Sequence, residues 1–516
     1  MIHNVVKKSA YFDSVTLMLI SSRLSDIAGV EEAAVMMGTQ HNIELMKNSG
    51  VLSEDVAANA SENDLIIGIR TKDQQSLNEA LKTLDEQFNK KTQSASTSRE
   101  RRVKSIQEAA QSDESLNFAV VSIPGRYAAT EVSKLLDYNM HVLLFSDNIT
   151  VEEEVQLKDK AIEKGLLMMG PDCGTAIVNG TALGFANVVR QGNIGLVAAS
   201  GTGLQEVTVI VDKLGGGISQ ALGTGGRDLK SEVGGRMMKQ ALEALEKDPK
   251  TEVIGIISKP PSPDVMEKML DTIKTFKKPV VACFLGGDEK FFAQSKAIYA
   301  SNLEELAHKV VALANGQDAS NPLQQPLSAD VEVQIEQAHQ SLKPQQQFVR
   351  GLYTGGTLAY ESLLLLQASM GTIYSNLAKK AEELLNDVEV SVQHSVVDMG
   401  DDYFTDGMPH PMIDPRLRSE RIVKEAKDPE TAVILLDCVL GYGSHDNPAK
   451  ALVNAIEQAK AVQVNPHITY VASVCGTEKD PQVLSQQVQQ LQAAGVIVLD
   501  TNAQAARVAA QLLKRG

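Results

Sequence analysis

The sequence predicts a multidomain α/β protein built on parallel sheets, and three observations predict it. From Asn117 onward, short apolar runs alternate with amphipathic helical stretches, the pattern of βαβ units with right-handed crossovers. The hydrophobic content of 43% comes with only 4% aromatic residues and no Trp, so the cores are Val, Ile, Leu, Met and Ala, which suits buried parallel strands under helices. A long stretch of chain also occurs twice. Ser200-Gly201-Thr202, running to Glu206, and Gly355-Gly356-Thr357, running to Glu361, each follow an apolar run and open a helical one. Lys247 to Ile254 (KDPKTEVI) and Lys427 to Ile434 (KDPETAVI) repeat downstream, and each copy then has a strand closing on glycine, up to Gly287 and Gly476. The spacing between copies widens by about 25 residues before Lys427, which places an insertion in the second.

The elements follow in order. In residues 1–90, Leu17, Ile20, Leu24 and Ile27 fall at helical spacing, Ala33 to Met37 and Leu65 to Ile69 read as strands, and Leu77, Ala80, Leu81, Leu84 and Phe88 form another helix face. Asn89 to Arg102 reads as a polar linker. Residues 113–190 give strands at Phe118 to Ile123, Val142 to Phe145 and Leu166 to Met169, with helices at Tyr127 to Leu136 and Val151 to Lys164. The first copy, 191–316, opens a helix at Ser200 and turns at Gly223. It continues as helix Val233 to Leu245, strand Val253 to Ile257, helix Val265 to Phe276 and strand Val280 to Leu285. Gly316 to Gln347 is a connector with one short helix, and the second copy fills 348–516.

A formal net charge of −16 argues against a nucleic-acid partner, and the basic run Arg99 to Lys104 reads as solvated linker. No apolar segment approaches the roughly 18 residues of a membrane span, and the N-terminus has no signal-peptide core, so a cytoplasmic protein is expected. Cys283, Cys438 and Cys475 lie in apolar runs, and Cys173 lies in a turn with no visible base or cation to activate it; all four read as packing thiols.

Ligands of open parallel sheets bind beyond the carboxyl ends of the strands. There, the N–H groups and hydroxyls of Ser200, Gly201, Thr202, Gly355, Gly356 and Thr357 can hold phosphate or carboxylate oxygens, two anionic groups in all; ordinary capping is the alternative. Arg227 is a bidentate clamp for an anion, with Asp228 either a catalytic acid beside it or a helix cap. Lys259, held stiffly before two prolines, neutralises an anion or is simply solvated. Within the second-copy insertion Asp401, Asp402, His410, Asp414, Arg416 and Arg418 crowd one polar loop, and His410, between two prolines, is the expected general acid/base. His445 is a weaker candidate, the other histidines are background, and no metal spacing appears.

Met169-Gly170-Pro171-Asp172-Cys173, Asn193 to Val197 with Ser200-Gly201-Thr202, Gly225-Gly226-Arg227-Asp228 and Lys247 to Ile257 resemble the α subunit of succinyl-CoA synthetase and its superfamily over residues 115 to 315. Across the whole chain, Met36-Met37-Gly38-Thr39, Ser146-Asp147-Asn148, Gly223 to Leu229, Ser258-Lys259-Pro260-Pro261, Gly351 to Leu358 and Pro409 to Pro415 more closely resemble the FdrA proteins of that superfamily. The resemblance implies a Rossmann-like CoA-binding-type domain followed by two flavodoxin-like succinyl-CoA-ligase-type modules. Two departures matter. The synthetases' phosphohistidine has no counterpart in Gly286 to Lys290, and no Gly-rich CoA loop precedes Phe118, which argues against CoA or nucleotide; no cofactor is assigned and phosphate enters as a substrate. The FdrA resemblance implies one subunit of a carbamoyl or acyl transferase of ureide (allantoin, purine) catabolism, converting oxalurate and phosphate to oxamate and carbamoyl phosphate, with partner subunits or as a homodimer. Acyl-CoA synthesis is the rival activity, and a non-catalytic scaffold subunit the rival role.

Overall fold

The computed structural model describes residues 2–514 apart from 9, 11, 13, 26, 95–102, 294, 320–325, 407, 463 and 466. The chain divides into two units, one of residues 1–112 with 402–414 and the other of 113–401 with 415–516.

In the first unit, strands β1 (Ile2–Lys7), β2 (Val30–Met37) and β3 (Leu65–Thr71) form an antiparallel sheet in the order β1-β3-β2. Alternation decides its two faces. Leu65, Ile67 and Ile69 pack with Leu17 and Leu24 of α1 (Ser14–Ser25) and Ala80 and Leu84 of α4 (Gln74–Ser94). Ile66 and Ala34 turn the other way, onto Ile43 and Met46 of α2 (Gln40–Asn48) and the chain leading to α3 (Glu54–Asn59). Helix α4 runs through Ser94, past the expected linker start at Asn89; the rest of that linker, and most of the basic run after Arg99, lies outside the described residues. Helix α5 (Ile106–Ser112) ends this unit's first stretch.

The second unit begins with β4 (Phe118–Val121), α6 (Gly125–Asp137), β5 (His141–Leu144), α7 (Val151–Glu163) and β6 (Met168–Met169), a three-stranded parallel sheet. Thr150 and Glu153 start α7 with a capping box, each side chain bonding the other's backbone N–H. A hairpin, β7 (Thr175–Val178) and β8 (Thr181–Gly184), then leaves this sheet and adds antiparallel strands to the next.

The first copy is β9 (Gln191–Ala198), α8 (Gly201–Lys213), β10 (Ile218–Gly223), α9 (Arg236–Lys247), β11 (Val253–Ser258), α10 (Pro263–Lys274), β12 (Val280–Phe284), β13 (Ile298–Ala300) and α11 (Leu303–Ala314). The connector carries α12 (Ala329–Ser341). The second copy is β14 (Phe348–Tyr353), α13 (Gly356–Met370), β15 (Tyr374–Ser375), β16 (Ser395–Asp398), α14 (Asp402–Thr405, in the other unit), α15 (Arg416–Glu425), β17 (Thr431–Val439), α16 (Pro448–Ala461), β18 (Thr469–Cys475), α17 (Leu484–Ala493), β19 (Ile497–Leu499) and α18 (Asn502–Leu512). The parallel cores run β10-β9-β11-β12-β13 and β16-β14-β17-β18-β19. The first is the flavodoxin order 2-1-3-4-5 and the second has the same core with one more parallel strand, β15, outside β16; in both the order reverses between the strands that flank β9 and β14. Those two strands feed α8 and α13.

Candidate functional site at two facing helix starts

Both helix starts are local consequences of sequence. After the buried strand β9 the chain extends at Ser200, whose Oγ accepts from Gly203 N–H at 3.1 Å and so caps α8. After β14 the N-cap is Gly355, which has no side chain to do this. The two starts meet, with Ser200 Oγ and Thr357 Oγ1 2.5 Å apart. Each threonine lies against the other copy's glycine: a Cβ on Gly203 would sit 2.9 Å from Thr357 Cγ2, and one on Gly355 3.0 Å from Thr202 Cγ2. Side chains at these glycines would drive the helix starts apart.

The pseudo-symmetry ends at the charges. In the second copy Asp437, inside the otherwise apolar β17, accepts from Thr354 N–H at 2.9 Å, Gly355 N–H at 2.8 Å and Arg418 Nη1 at 2.6 Å. The corresponding end of β11 is Ile257 and Ser258, with no acid. An anion of the protein's own thus occupies the turn into α13, and of the two expected anion sites the α8 start is the one without a resident carboxylate. A second carboxylate, Asp398 at the end of β16, accepts from Gly400 N–H at 2.9 Å, and a Cβ on Gly356 would collide with its Oδ2. Burial pushes Asp398 up to about 7; Asp401 adds to the rise and Lys259 opposes it.

Lys259 and Lys379 stand at the open edge of this cluster, their Nζ atoms 5.1 and 5.5 Å from the centre of the Tyr360 ring on α13. Protein surrounds Lys259 closely enough that desolvation holds its ammonium below the ordinary lysine range, although the residue remains solvent-accessible. The loop after β12 also reaches this ring, a Cβ on Gly286 falling 3.3 Å from Tyr360 Oη. Asp288 in that loop caps a short turn by accepting from Lys290 N–H at 2.9 Å.

Other expected residues lie elsewhere. Asp228 is fully buried, accepting from Lys158 Nζ at 2.7 Å and from Met237 and Met238 N–H at 3.1 and 2.8 Å. It caps α9 and neutralises a buried lysine, the arrangement expected of the helix-cap alternative. Arg227 directs its Nη2 to Glu154 Oε2 and the Ile149 carbonyl, both at 3.0 Å. The polar loop read as one group is divided: His410 and Asp414 fall in the unit of residues 1–112, while Asp401 and Arg416 remain in the other. His410 Nδ1 accepts from Met412 N–H at 3.2 Å and its carbonyl from Ile413 N–H at 2.8 Å, as a turn-former does. All four cysteines are buried and free, and burial pushes the Cys173 thiol up to about 12.

Two glutamates missed from sequence tie the modules together reciprocally. Glu206 of α8 accepts from Asn502 N–H, which starts α18, at 2.9 Å; Glu361 of α13 accepts from Leu303 N–H, which starts α11, at 2.8 Å, and from Asn502 Nδ2 at 2.7 Å. Burial pushes Glu361 up to about 7. Its folded-state affinity for a proton exceeds that of the unfolded chain, so the associated stability is present below the ordinary glutamate range and is lost as pH rises through about 7. Urea midpoints measured from about pH 5 to 8 are expected to fall more steeply in the native chain than in Glu361→Gln, by up to roughly 3 kcal/mol. Parallel curves would remove Glu361 as the source.

Family comparison follows this geometry. A CoA-ligase model matches residues 352–512, a CoA binding domain model residues 189–286, and a model described as AllF, heavy metal-associated domain, residues 1–104. The uncharacterized protein YahF of Escherichia coli K12 is 44% identical over 517 residues, 99% of this chain and 98% of YahF. The chain belongs to the FdrA-like family that includes YahF. This FdrA-like chain is also 28% identical over 174 residues to succinate–CoA ligase [ADP-forming] subunit alpha 2 of Archaeoglobus fulgidus, covering 33% of this chain and 59% of that subunit. The apo dinucleotide-forming acetyl-coenzyme A synthetase 1 of Ca. Korarchaeum cryptofilum aligns over 77% of this chain and 82% of its own, at 16% identity and a TM-score of 0.33. The two repeated modules thus carry matches to CoA-binding and CoA-ligase models, and a third of the chain is similar to curated ligase subunits. The stretch matched by the heavy-metal model contains no cysteine, and among the described residues no cluster of His, Cys, Asp and Glu could hold a metal. Among the described residues no helix is long and apolar enough to cross a membrane.

Proposed function

We propose that the chain transfers an acyl or carbamoyl group between a carrier and inorganic phosphate, without a phosphohistidine. The observation that carries this is the meeting of Ser200 and Thr357 at two facing helix starts, one free of resident carboxylate and the other flanked by Asp398. Phosphate held at α8 receives the Gly201 and Thr202 N–H groups and the hydroxyls of Ser200, Thr202 and Thr357. One phosphate oxygen attacks the carbonyl carbon, the bond from that carbon to the leaving group breaks, and the leaving atom takes up a proton. Asp398, poised near neutrality, delivers that proton and recovers the one phosphate gives up, the role expected for His410.

With oxalurate as donor the broken bond is C–N and the products are oxamate and carbamoyl phosphate; with an acyl-CoA it is C–S and the products are an acyl phosphate and free CoA. The family models favour the second donor class, and the resemblance to FdrA proteins the first. The full-length protein, purified with whatever subunits accompany it, is incubated with radiolabelled phosphate and either oxalurate or a short acyl-CoA. A phosphate-dependent product in one arm is expected and names the donor; no product in either arm overturns the reading. Asp398→Asn is expected to lower the rate by about 10²–10⁴-fold and to remove the limb of the pH profile near neutrality. A scaffold subunit would leave the rate of the complex unchanged in this variant.

A further inference from the structure

We propose that Lys259 and Lys379 form a carboxylate subsite on the Tyr360 ring, so that the group donor, or the acid it releases, carries a free carboxylate. This rests on the phosphate-transfer reading of the neighbouring helix starts. The lysines come from different modules, Lys259 from the loop after β11 and Lys379 from the segment after β15, yet both ammonium groups converge on one aromatic ring. Among the described residues neither has a carboxylate within ion-pair distance, whereas the adjacent Lys380 pairs with Glu383 at 2.8 Å. Burial depresses the Lys259 ammonium and the positive charge of Lys379 adds to this, while Asp398 and Asp401 oppose it without either forming an ion pair with the lysines. Asp398 is itself close to half-protonated at neutral pH and supplies only part of a charge.

A carboxylate from the substrate restores the balance, while Tyr360 gives the ammonium groups a quadrupole to rest on when the subsite is empty. At the α13 start Asp437 already holds the N–H groups of Thr354 and Gly355, so a second anion there meets a resident carboxylate. The acid therefore meets the lysines and the phosphate meets α8. Two anions bind, as the duplicated motif suggested, but on unlike partners.

Calorimetry on the full-length chain decides the matter with oxamate and succinate as probes, oxamide and succinamide as their uncharged counterparts, and phosphate as a control. The expected result is that at least one acid binds about tenfold or more tightly than its amide. Lys379→Met abolishes that preference with phosphate affinity unchanged, and Lys379→Arg retains it. Lys379 is exposed, so the variants should fold. An acid preference that survives in the Lys259→Met/Lys379→Met double variant, or no preference in the native chain, overturns the subsite. A loss of phosphate affinity in Lys379→Met also overturns it and reassigns the lysines to phosphate. If the native chain fails to bind phosphate at all, the underlying transfer reading fails instead.

Discussion

Replacing Asp437 by alanine is expected to cost about 3–5 kcal/mol, the largest single-residue loss in the second module. The carboxylate is fully buried, and its removal strands four groups at once: the Arg418 guanidinium, the N–H groups of Thr354 and Gly355 and the Thr354 hydroxyl. An uncompensated buried cation dominates the cost, because desolvation is no longer offset. The double variant Arg418→Met/Asp437→Leu removes both charges and is expected to recover a large part of the loss in urea or thermal unfolding. There is a second readout. With Asp437 gone, the turn into α13 regains an anion site, so sulfate or phosphate should raise the variant's midpoint by more than it raises that of the native chain. Equal anion stabilisation of both proteins would mean that the carboxylate does not occupy a latent anion site.

Lys158→Met is expected to be of the same size, about 3–5 kcal/mol, in the preceding part of the unit. Lys158 has no exposed surface and donates to Glu154 Oε1 at 2.8 Å, Asp228 Oδ1 at 2.7 Å and the Thr224 carbonyl at 3.1 Å. Methionine fills the space of the stem but leaves two buried carboxylates facing each other, with the half-exposed Arg227 as the remaining cation on Glu154. Adding Asp228→Asn to this background removes one stranded charge while keeping an oxygen for the α9 N–H groups, and should recover part of the midpoint. If Lys158→Met alone leaves the midpoint within about 0.5 kcal/mol of native, the network is not the tie between α7 and the Thr224–Asp228 turn that its geometry describes.

The fold was legible where periodicity is strong. Apolar runs without alternation marked the parallel strands, and the duplicated segments, KDPKTEVI and KDPETAVI with their helix-opening glycines, marked two modules. The β7–β8 hairpin was not legible, since Thr175 to Gly184 is short and its partner is distant in sequence. The site was legible as backbone and less so as charge. Ser200, Thr202, Gly355 and Thr357 could be found because a helix start has a local signature. Asp398 and Asp437 could not be told apart from other strand-end acids, because their meaning depends on which strands flank β14. Asp437 did carry one signal, a lone acid inside the apolar run from Ala432 to Val439. The partners of Arg227 and Asp228 were not legible, because a turn rich in charge looks alike whether its partner is a ligand or a buried lysine. His410 lies in a segment of the insertion that groups with residues 1–112, a division that no local pattern marks.

The reciprocal glutamates set an order on how the chain can mature during synthesis. The helix that begins at Leu303 leaves the ribosome well before its acceptor, Glu361, which lies 58 residues further on, and the Glu206 made early waits 296 residues for Asn502. The first ligase-type module therefore emerges with the Leu303 N–H unsatisfied, although Asn302 caps the same helix, and with the Glu206 carboxylate without the Asn502 N–H. Both ties are complete only once α18 has followed, so a nascent chain halted in the connector should be more open to protease at Leu303 than the chain that carries α18.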